Sequence, residues 1–141
     1  MDVFSKKKRS RIMSRIKSSG TKPELALRSA LRSCGVTYSC NVRSLPGSPD
    51  AVVRRLRLAV FVDGCFWHGC PSHFKLPSDN REFWRKKIDG NARRDRSSRK
   101  ALRADSWTVW SYWEHETKDR PRFLKNLRRR FRRLESASMT P

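Results

Sequence analysis

The chain has 141 residues, with 34 Lys plus Arg against 13 Asp plus Glu, a formal charge of +21 at pH 7. That length supports one domain around a single core and leaves no room for two ordinary ones. Its 36% hydrophobic and 10% aromatic content separates it from a disordered polycation. No apolar stretch approaches the ~18 residues of a membrane-spanning helix. The opening MDVFSKKKRSR has no apolar run behind it, so no secretory signal is expected. Cys34, Cys40, Cys65 and Cys70 are then expected as free or metal-bound thiols rather than disulfides. The charge calls for a polyanionic partner, and nucleic acid is the first choice.

In chain order, residues 1–20 read as a basic arm. Lys6, Lys7, Lys8, Arg9, Arg11, Arg15 and Lys17 are its expected phosphate contacts, with helical character around Ile12 to Ile16. Residues 21–134 form the expected folded domain, and 135–141 a short tail. Thr21-Lys22-Pro23-Glu24 fits a capping box with a proline in the first turn. Leu27, Ala30, Leu31 and Cys34 then share a helix face that Gly35 ends. Alternation through Val36, Tyr38, Cys40 and Val42 predicts a half-buried strand. Ser44 to Pro49 is turn chemistry, Asp50 to Val53 a second strand, and Leu58 to Val62 a strand buried on both faces.

Residues 63–80 read as irregular. A long helix is predicted from about Asn80 to Ala104. Its thin inner stripe is Trp84, Ile88, Asn91, Asp95, Ser98 and Leu102. A strand from Trp107 to Trp113 follows, then a helix from Pro121 with Leu124, Leu127, Phe131 and Leu134 on one face. The predicted order is α-β-β-β-α-β-α around one sheet.

The few carboxylates carry the most information. Asp50 opens a strand, Asp63 closes the most apolar one, and Asp95 lies on the inner stripe one turn beyond Asn91. An inward acid is costly unless paired or bound to a cation. A single one is usually salt-bridged, but three in so basic a domain favour a divalent-metal site. Such an ion polarises a phosphodiester and stabilises the departing oxygen.

The second constellation is the run from Gly64 to His73. Cys65, Cys70 and His73 have the spacing of three zinc corners, and His115 is the only His left to supply a fourth once His68 is set apart. Buried thiols are the alternative. His68 itself can serve as a general base, a hydrogen-bonding loop His or a further zinc ligand. Phe66, Trp67 and Trp84 are either core residues or side chains that wedge between base pairs.

The segments Leu45-Pro46-Gly47-Ser48-Pro49-Asp50, Val60 to Pro71, Phe83-Trp84 and Asn91 to Asp95 resemble the Vsr family, the very-short-patch repair endonucleases. The similarity runs in order from about Ser10 to His115. It implies an α/β fold of the restriction-endonuclease, PD-(D/E)xK type, a mixed central sheet flanked by helices, with a structural zinc loop. It also implies Mg²⁺-dependent nicking of duplex DNA on the 5′ side of the T in a T:G mismatch. Carried onto this chain, Asp50 and the Val62 carbonyl would hold Mg²⁺, His68 would activate water and Asp95 would orient it. Glu24 falls on the first-helix acid of the fold. Phe66, Trp67 and Trp84 match the wedging aromatics, and Cys65, Cys70, His73 and His115 the zinc ligands. Two positions depart from the pattern. Asp63 stands where the best-studied members carry His, leaving it as metal ligand or partner of His68, and His115 stands where many carry Cys.

The expected setting is a monomer in the bacterial cytoplasm at the nucleoid, acting on mismatched double-stranded DNA, with mismatch-repair proteins as further partners and no membrane. Two other readings compete. One keeps the site but changes the DNA target, as in homing, mobile-element or defence nickases. The other is a non-catalytic basic DNA-binding module with a zinc loop. Phosphate binding alone needs none of Asp50, His68 and Asp95, which argues against it.

Overall fold

The computed structural model describes residues 20–71 and 75–138, so the basic arm up to residue 19 and His73 lie outside the described residues. Helix α1 spans Lys22–Ser33. Thr21 caps it by accepting a hydrogen bond from the Glu24 N–H at 3.4 Å. The Glu24 carboxylate reaches back to the Gly20 N–H at 2.8 Å, one residue earlier than a standard capping box. Ala26, Leu27, Ala30 and Leu31 are buried along its inner face.

Strands β1 (Ser39–Cys40), β2 (Ala51–Val53), β3 (Leu58–Asp63) and β4 (Thr108–Trp113) form one sheet in that order. The β1–β2 and β2–β3 pairs are antiparallel and β3–β4 is parallel. A parallel neighbour needs a crossover, and the 24-residue helix α2 (Arg81–Ala104) provides it. The last helix, α3 (Arg120–Ser138), runs four residues beyond Leu134 into the segment expected as a tail. Among the described residues no helix is long and apolar enough to cross a membrane.

The predicted strand over Val36 to Val42 shrinks to two residues. Asn41 takes a left-handed conformation (φ 49°), which breaks the pleat. The Asn41 and Val42 N–H groups still donate to the Asp50 and Pro49 carbonyls, both at 3.2 Å, so pairing continues without strand geometry.

Period-two alternation divides the sheet between two cores. Ala51, Val53, Leu58 and Val60 face α1 and α3, meeting Leu27, Leu31, Phe123, Leu127 and Phe131. Val52, Ala59 and Phe61 face the α2 side, with Leu102 and Trp107. Asp50 and Asp63 fall on the same alternation as Phe61. Both acids therefore emerge on the α2 side.

Candidate active site and thiol cluster

A cleft of about 380 Å³ opens where α1 begins, β2 starts and β3 ends, with α2 as its far wall; its chemistry comes from Glu24, Asp50, Asp63, His68, Asp95 and Arg99. The turn before β2 shapes one side. Gly47 has φ +76°, and a Cβ there would stand 2.9 Å from the Ser98 Cβ and 3.2 Å from the Phe61 ring. Only glycine satisfies both the backbone angle and the close approach to α2.

Asp50 accepts a hydrogen bond from the Val62 N–H at 2.6 Å. Burial pushes its carboxyl up to about 7; the Val62 bond opposes this, the charges of Glu24 and Asp63 add to it, and Arg99 opposes it. The other two aspartates have basic partners, a guanidinium for Asp63 and for Asp95 an imidazole that is cationic only while protonated. Asp63, buried, accepts from Arg99 Nη2 at 2.7 Å. Asp95 meets His68 Nδ1 at 2.5 Å. His68 Nδ1 is 4.0 Å from Asp63, so the imidazole is turned to Asp95 first. Among the described residues no cationic side chain pairs with Asp50 within 4 Å. The carboxylates thus differ in need: Asp63 and Asp95 are balanced, and Asp50 is the one that an added cation would relieve.

Burial pushes the His68 imidazole down, but the Asp95 hydrogen bond and the charges of Asp63 and Asp95 outweigh it, and Arg99 opposes them. The net result is a His68 pKa above its ordinary value. With Nδ1 held by a carboxylate, Nε2 is left to exchange a proton with water or substrate. Asp63, His68 and Asp95 bring ligand atoms within 4.8 Å of one another, and Asp50 lines the same cleft outside that triplet. Glu24 also lies in the cleft, buried, and is 3.5 Å from Arg28 on its own helix.

Two residues beyond Asp63 the chemistry changes from oxygen to sulfur. Cys65 and Cys70 are buried and form no disulfide, with His115 Nδ1 at 3.3 Å from one sulfur and 3.6 Å from the other. Zinc bond lengths in a tetrahedron put sulfur and nitrogen ligands about 3.5 Å apart. The three residues therefore have the chemistry and spacing of three tetrahedral corners. His73, the expected fourth, lies outside the described residues.

The Cys65–Cys70 segment is a tight loop. Cys70 N–H donates to the Cys65 carbonyl at 2.9 Å, and His68 N–H to the Gly64 carbonyl at 3.1 Å. Gly69, at φ +68°, lets the loop lie on α2, where a Cβ would come 3.0 Å from Ile88 Cγ2. The loop presents Phe66 and Trp67, which meet Trp84 of α2 with ring centroids 5.4 and 6.0 Å away. All three rings are half-buried and belong to neither core. Phe83, beside Trp84, is exposed.

Sequence reasoning gave no role to three contributors. Arg99 is the counter-ion of Asp63 and stacks 4.4 Å from the Phe61 centroid; its spacing four residues past Asp95 on the helix was the available signal. Asn91 donates from Nδ2 to the Trp67 carbonyl at 2.8 Å, fixing the aromatic loop to α2. Glu114 accepts from the Cys65 N–H at 3.0 Å.

The chain is similar to known proteins. The family model described as DNA mismatch endonuclease Vsr matches residues 1–73. Type II nicking enzyme V.NaeI of Lentzea aerocolonigenes is 43% identical over 113 residues, covering 77% of this chain and 68% of that protein. Type II nicking enzyme V.XorIIP of Xanthomonas oryzae is 39% identical over 119 residues, covering 84% and 88%. DNA mismatch endonuclease Vsr of Escherichia coli K12 is 40% identical over 114 residues, covering 80% and 73%. A cleft of acids around a carboxylate-held imidazole, on a polycationic chain with these relatives, has one consistent assignment: the chain belongs to the Vsr family of DNA endonucleases.

Proposed function

We propose that this enzyme nicks one strand of duplex DNA on the 5′ side of the T in a T:G mismatch, with Mg²⁺ in the cleft and zinc in the thiol cluster. The observation that carries the reading is the His68–Asp95 contact at 2.5 Å in the same cleft as Asp50, a carboxylate without a cationic partner among the described residues. Asp50 and the Val62 carbonyl are the residues that would hold Mg²⁺, whose contribution when bound is to polarise the scissile phosphate and stabilise the departing oxygen. His68 takes the proton from the attacking water at Nε2, and Asp95 holds the ring by Nδ1 and stabilises the imidazolium. Arg99 keeps Asp63 charge-balanced, so Asp63 supports the His68 site electrostatically instead of competing for the ion. Glu24 adds a negative charge beside Asp50.

Cys65, Cys70, His115 and His73 would hold zinc, which closes the loop that presents Phe66, Trp67 and His68. Phe66, Trp67 and Trp84 form a group outside both cores, as residues that unstack a base step require. The restriction-endonuclease, PD-(D/E)xK type of fold accords with the mixed sheet and with a first-helix acid, Glu24, beside a strand-end aspartate. In the T:G reading, the name of the Escherichia coli relative supplies the mismatch. The type II nicking enzymes favour a second reading, the same chemistry at another DNA site. Nicking assays on otherwise identical T:G and T:A duplexes, with Mg²⁺ or EDTA, test both. Cleavage of T:G alone with Mg²⁺ supports the proposal. Equal cleavage of both duplexes transfers support to the second reading, and cleavage in EDTA removes the metal.

A further inference from the structure

The cleft leaves unused one strongly one-sided stretch of charge. Between Arg120 and Leu134 the sequence contains no acid. In the fold that segment is most of α3, whose Phe123, Leu127 and Phe131 are buried against the sheet. Arg122, Lys125, Arg128, Arg129, Arg132 and Arg133 are all exposed. At 100° per residue, Arg122, Lys125, Arg129, Arg132 and Arg133 fall in one stripe opposite the buried face. Arg130 instead turns inward, 5.2 Å from the Trp110 centroid, so the outward stripe is not simply every basic residue of the helix.

Placement separates this stripe from the cleft. Helix α3 packs on the sheet face of Ala51, Val53, Leu58 and Val60. Asp50 and Asp63 emerge on the other face, where Asp95 and Arg99 of α2 complete the cleft. A duplex seated on the cleft therefore leaves the outer side of α3 to something else. From Arg122 to Arg133 the helix rises about 16 Å, and a duplex carries one phosphate charge per about 1.7 Å of axis. The five cations of the stripe thus stand about one per 3.3 Å, close to the spacing of about 3.4 Å between phosphates along one strand.

We propose that the outer face of α3 is a second DNA-binding surface, which holds the phosphate backbone of a duplex segment other than the one in the cleft. It reads no sequence, because its donors are flexible cations that meet phosphates and not base edges. It needs neither a mismatch nor a divalent ion, so its test is independent of the proposed nicking reaction.

The test is bridging. A bead-bound duplex without a mismatch is mixed with full-length protein, and capture of a second, fluorescent duplex is measured in EDTA across a salt series. The variant Arg122→Gln/Lys125→Gln/Arg129→Gln/Arg132→Gln should lower capture about tenfold or more at moderate salt, since each phosphate contact steepens the salt dependence by about 0.9 in log–log slope. The charge-keeping variant with Arg122, Arg129 and Arg132 changed to Lys should retain capture, which separates lost contacts from lost folding. Changing Arg43, Arg54, Lys100 and Arg103 to Gln, four exposed cations outside α3 and the cleft lining, removes the same charge elsewhere and should leave most of the bridging. Single-turnover nicking of a short duplex substrate should stay within about twofold in the α3 glutamine variant. Capture that survives in that variant overturns the proposal. So does capture lost equally in the Arg43→Gln/Arg54→Gln/Lys100→Gln/Arg103→Gln variant, which would assign bridging to net charge. Short-duplex nicking lost along with capture would place α3 in the cleft's own DNA path and also overturn it.

Discussion

The carboxylate cleft and the thiol cluster begin two residues apart, at Asp63 and Cys65, and they are built on opposite rules. In the cleft the donors are oxygen and imidazole nitrogen, partly open to solvent, with Asp50 lifted to about 7 by burial and by its acidic neighbours. In the cluster the donors are two buried sulfurs and one imidazole, drawn together within 4.8 Å. The first arrangement is tense and exchangeable, the second closed. Between them the loop carries Phe66, Trp67 and His68, so on the proposed reading the closed site holds still what the open site uses. The lesson is then one of division: stability and reactivity fall to neighbouring clusters and are not shared by one.

The strongest way to break this contrast is at Asp50. Asp50→Ala should abolish nicking, read as product strand on a T:G duplex, while DNA affinity stays at or above that of the parent. Asp50→Asn should be equally inactive yet more stable at neutral and higher pH. The sign follows from the raised pKa. Below about pH 4 both folded and unfolded chains hold the proton. Between about 4 and 7 only the folded chain holds it, so stability falls as pH rises and levels off above 7. Asparagine escapes that loss, worth roughly 1–4 kcal/mol in full, and the gap between variant and parent melts should be clearly larger at pH 8 than at pH 5.

Next in size is His68. Replacing it with Ala should slow turnover by roughly two to four orders of magnitude without releasing zinc; zinc lost stoichiometrically would exchange the roles of His68 and His115. The parent's acid limb should lie above the ordinary histidine value, because the imidazole must be neutral to accept a proton. Asp95→Asn should shift that limb to lower pH, and a limb that does not move would detach Asp95 from His68.

Cys70→Ser probes the closed side. Metal analysis should find about one zinc per parent chain and less in the variant. Melting should fall by several degrees, while nicking by the molecules still folded changes little. A variant that keeps its melting temperature but loses chemistry would reverse the division.

Smallest in stability, and sharpest in specificity, is the loop between the two sites. Phe66→Ala/Trp67→Ala should leave folding nearly unchanged and reduce preference for T:G over T:A duplex. Were these rings core, each would cost ~3–5 kcal/mol and the domain would melt early.

Much of this was legible in the chain. The apolar run at Leu58–Val62 could only be an inner strand, and the four-residue step from Asn91 to Asp95 put both on the face of α2 that meets the loop. Thr21 announced its helix because a cap, a proline and an acid fell in register. What escaped notice depended on three-dimensional closure. The strand at Val36–Val42 alternates correctly, but alternation does not encode the left-handed turn at Asn41. Arg99 looked like one cation among 34, because its meaning rests on Asp63, which is 36 residues away and 2.7 Å distant. Phe123 hides at the start of a helix whose arginines outnumber its apolar residues, although it is among the most buried rings.

Helix α2 has a further consequence. It carries Trp84 at one end of its working face and Asp95 eleven residues later, with no proline between them and Gly90 the only glycine. At 1.5 Å per residue the two are set about 16 Å apart along a single rod, near the length of five stacked base pairs. Loop length cannot tune that interval. It changes only by whole residues, and each insertion turns everything beyond it by about 100°, carrying Asp95 off the face where His68 waits. The helix is a ruler whose divisions cannot be subdivided, and on the proposed reading the offset between the point where aromatic rings meet the DNA and the point of attack is inherited as an integer.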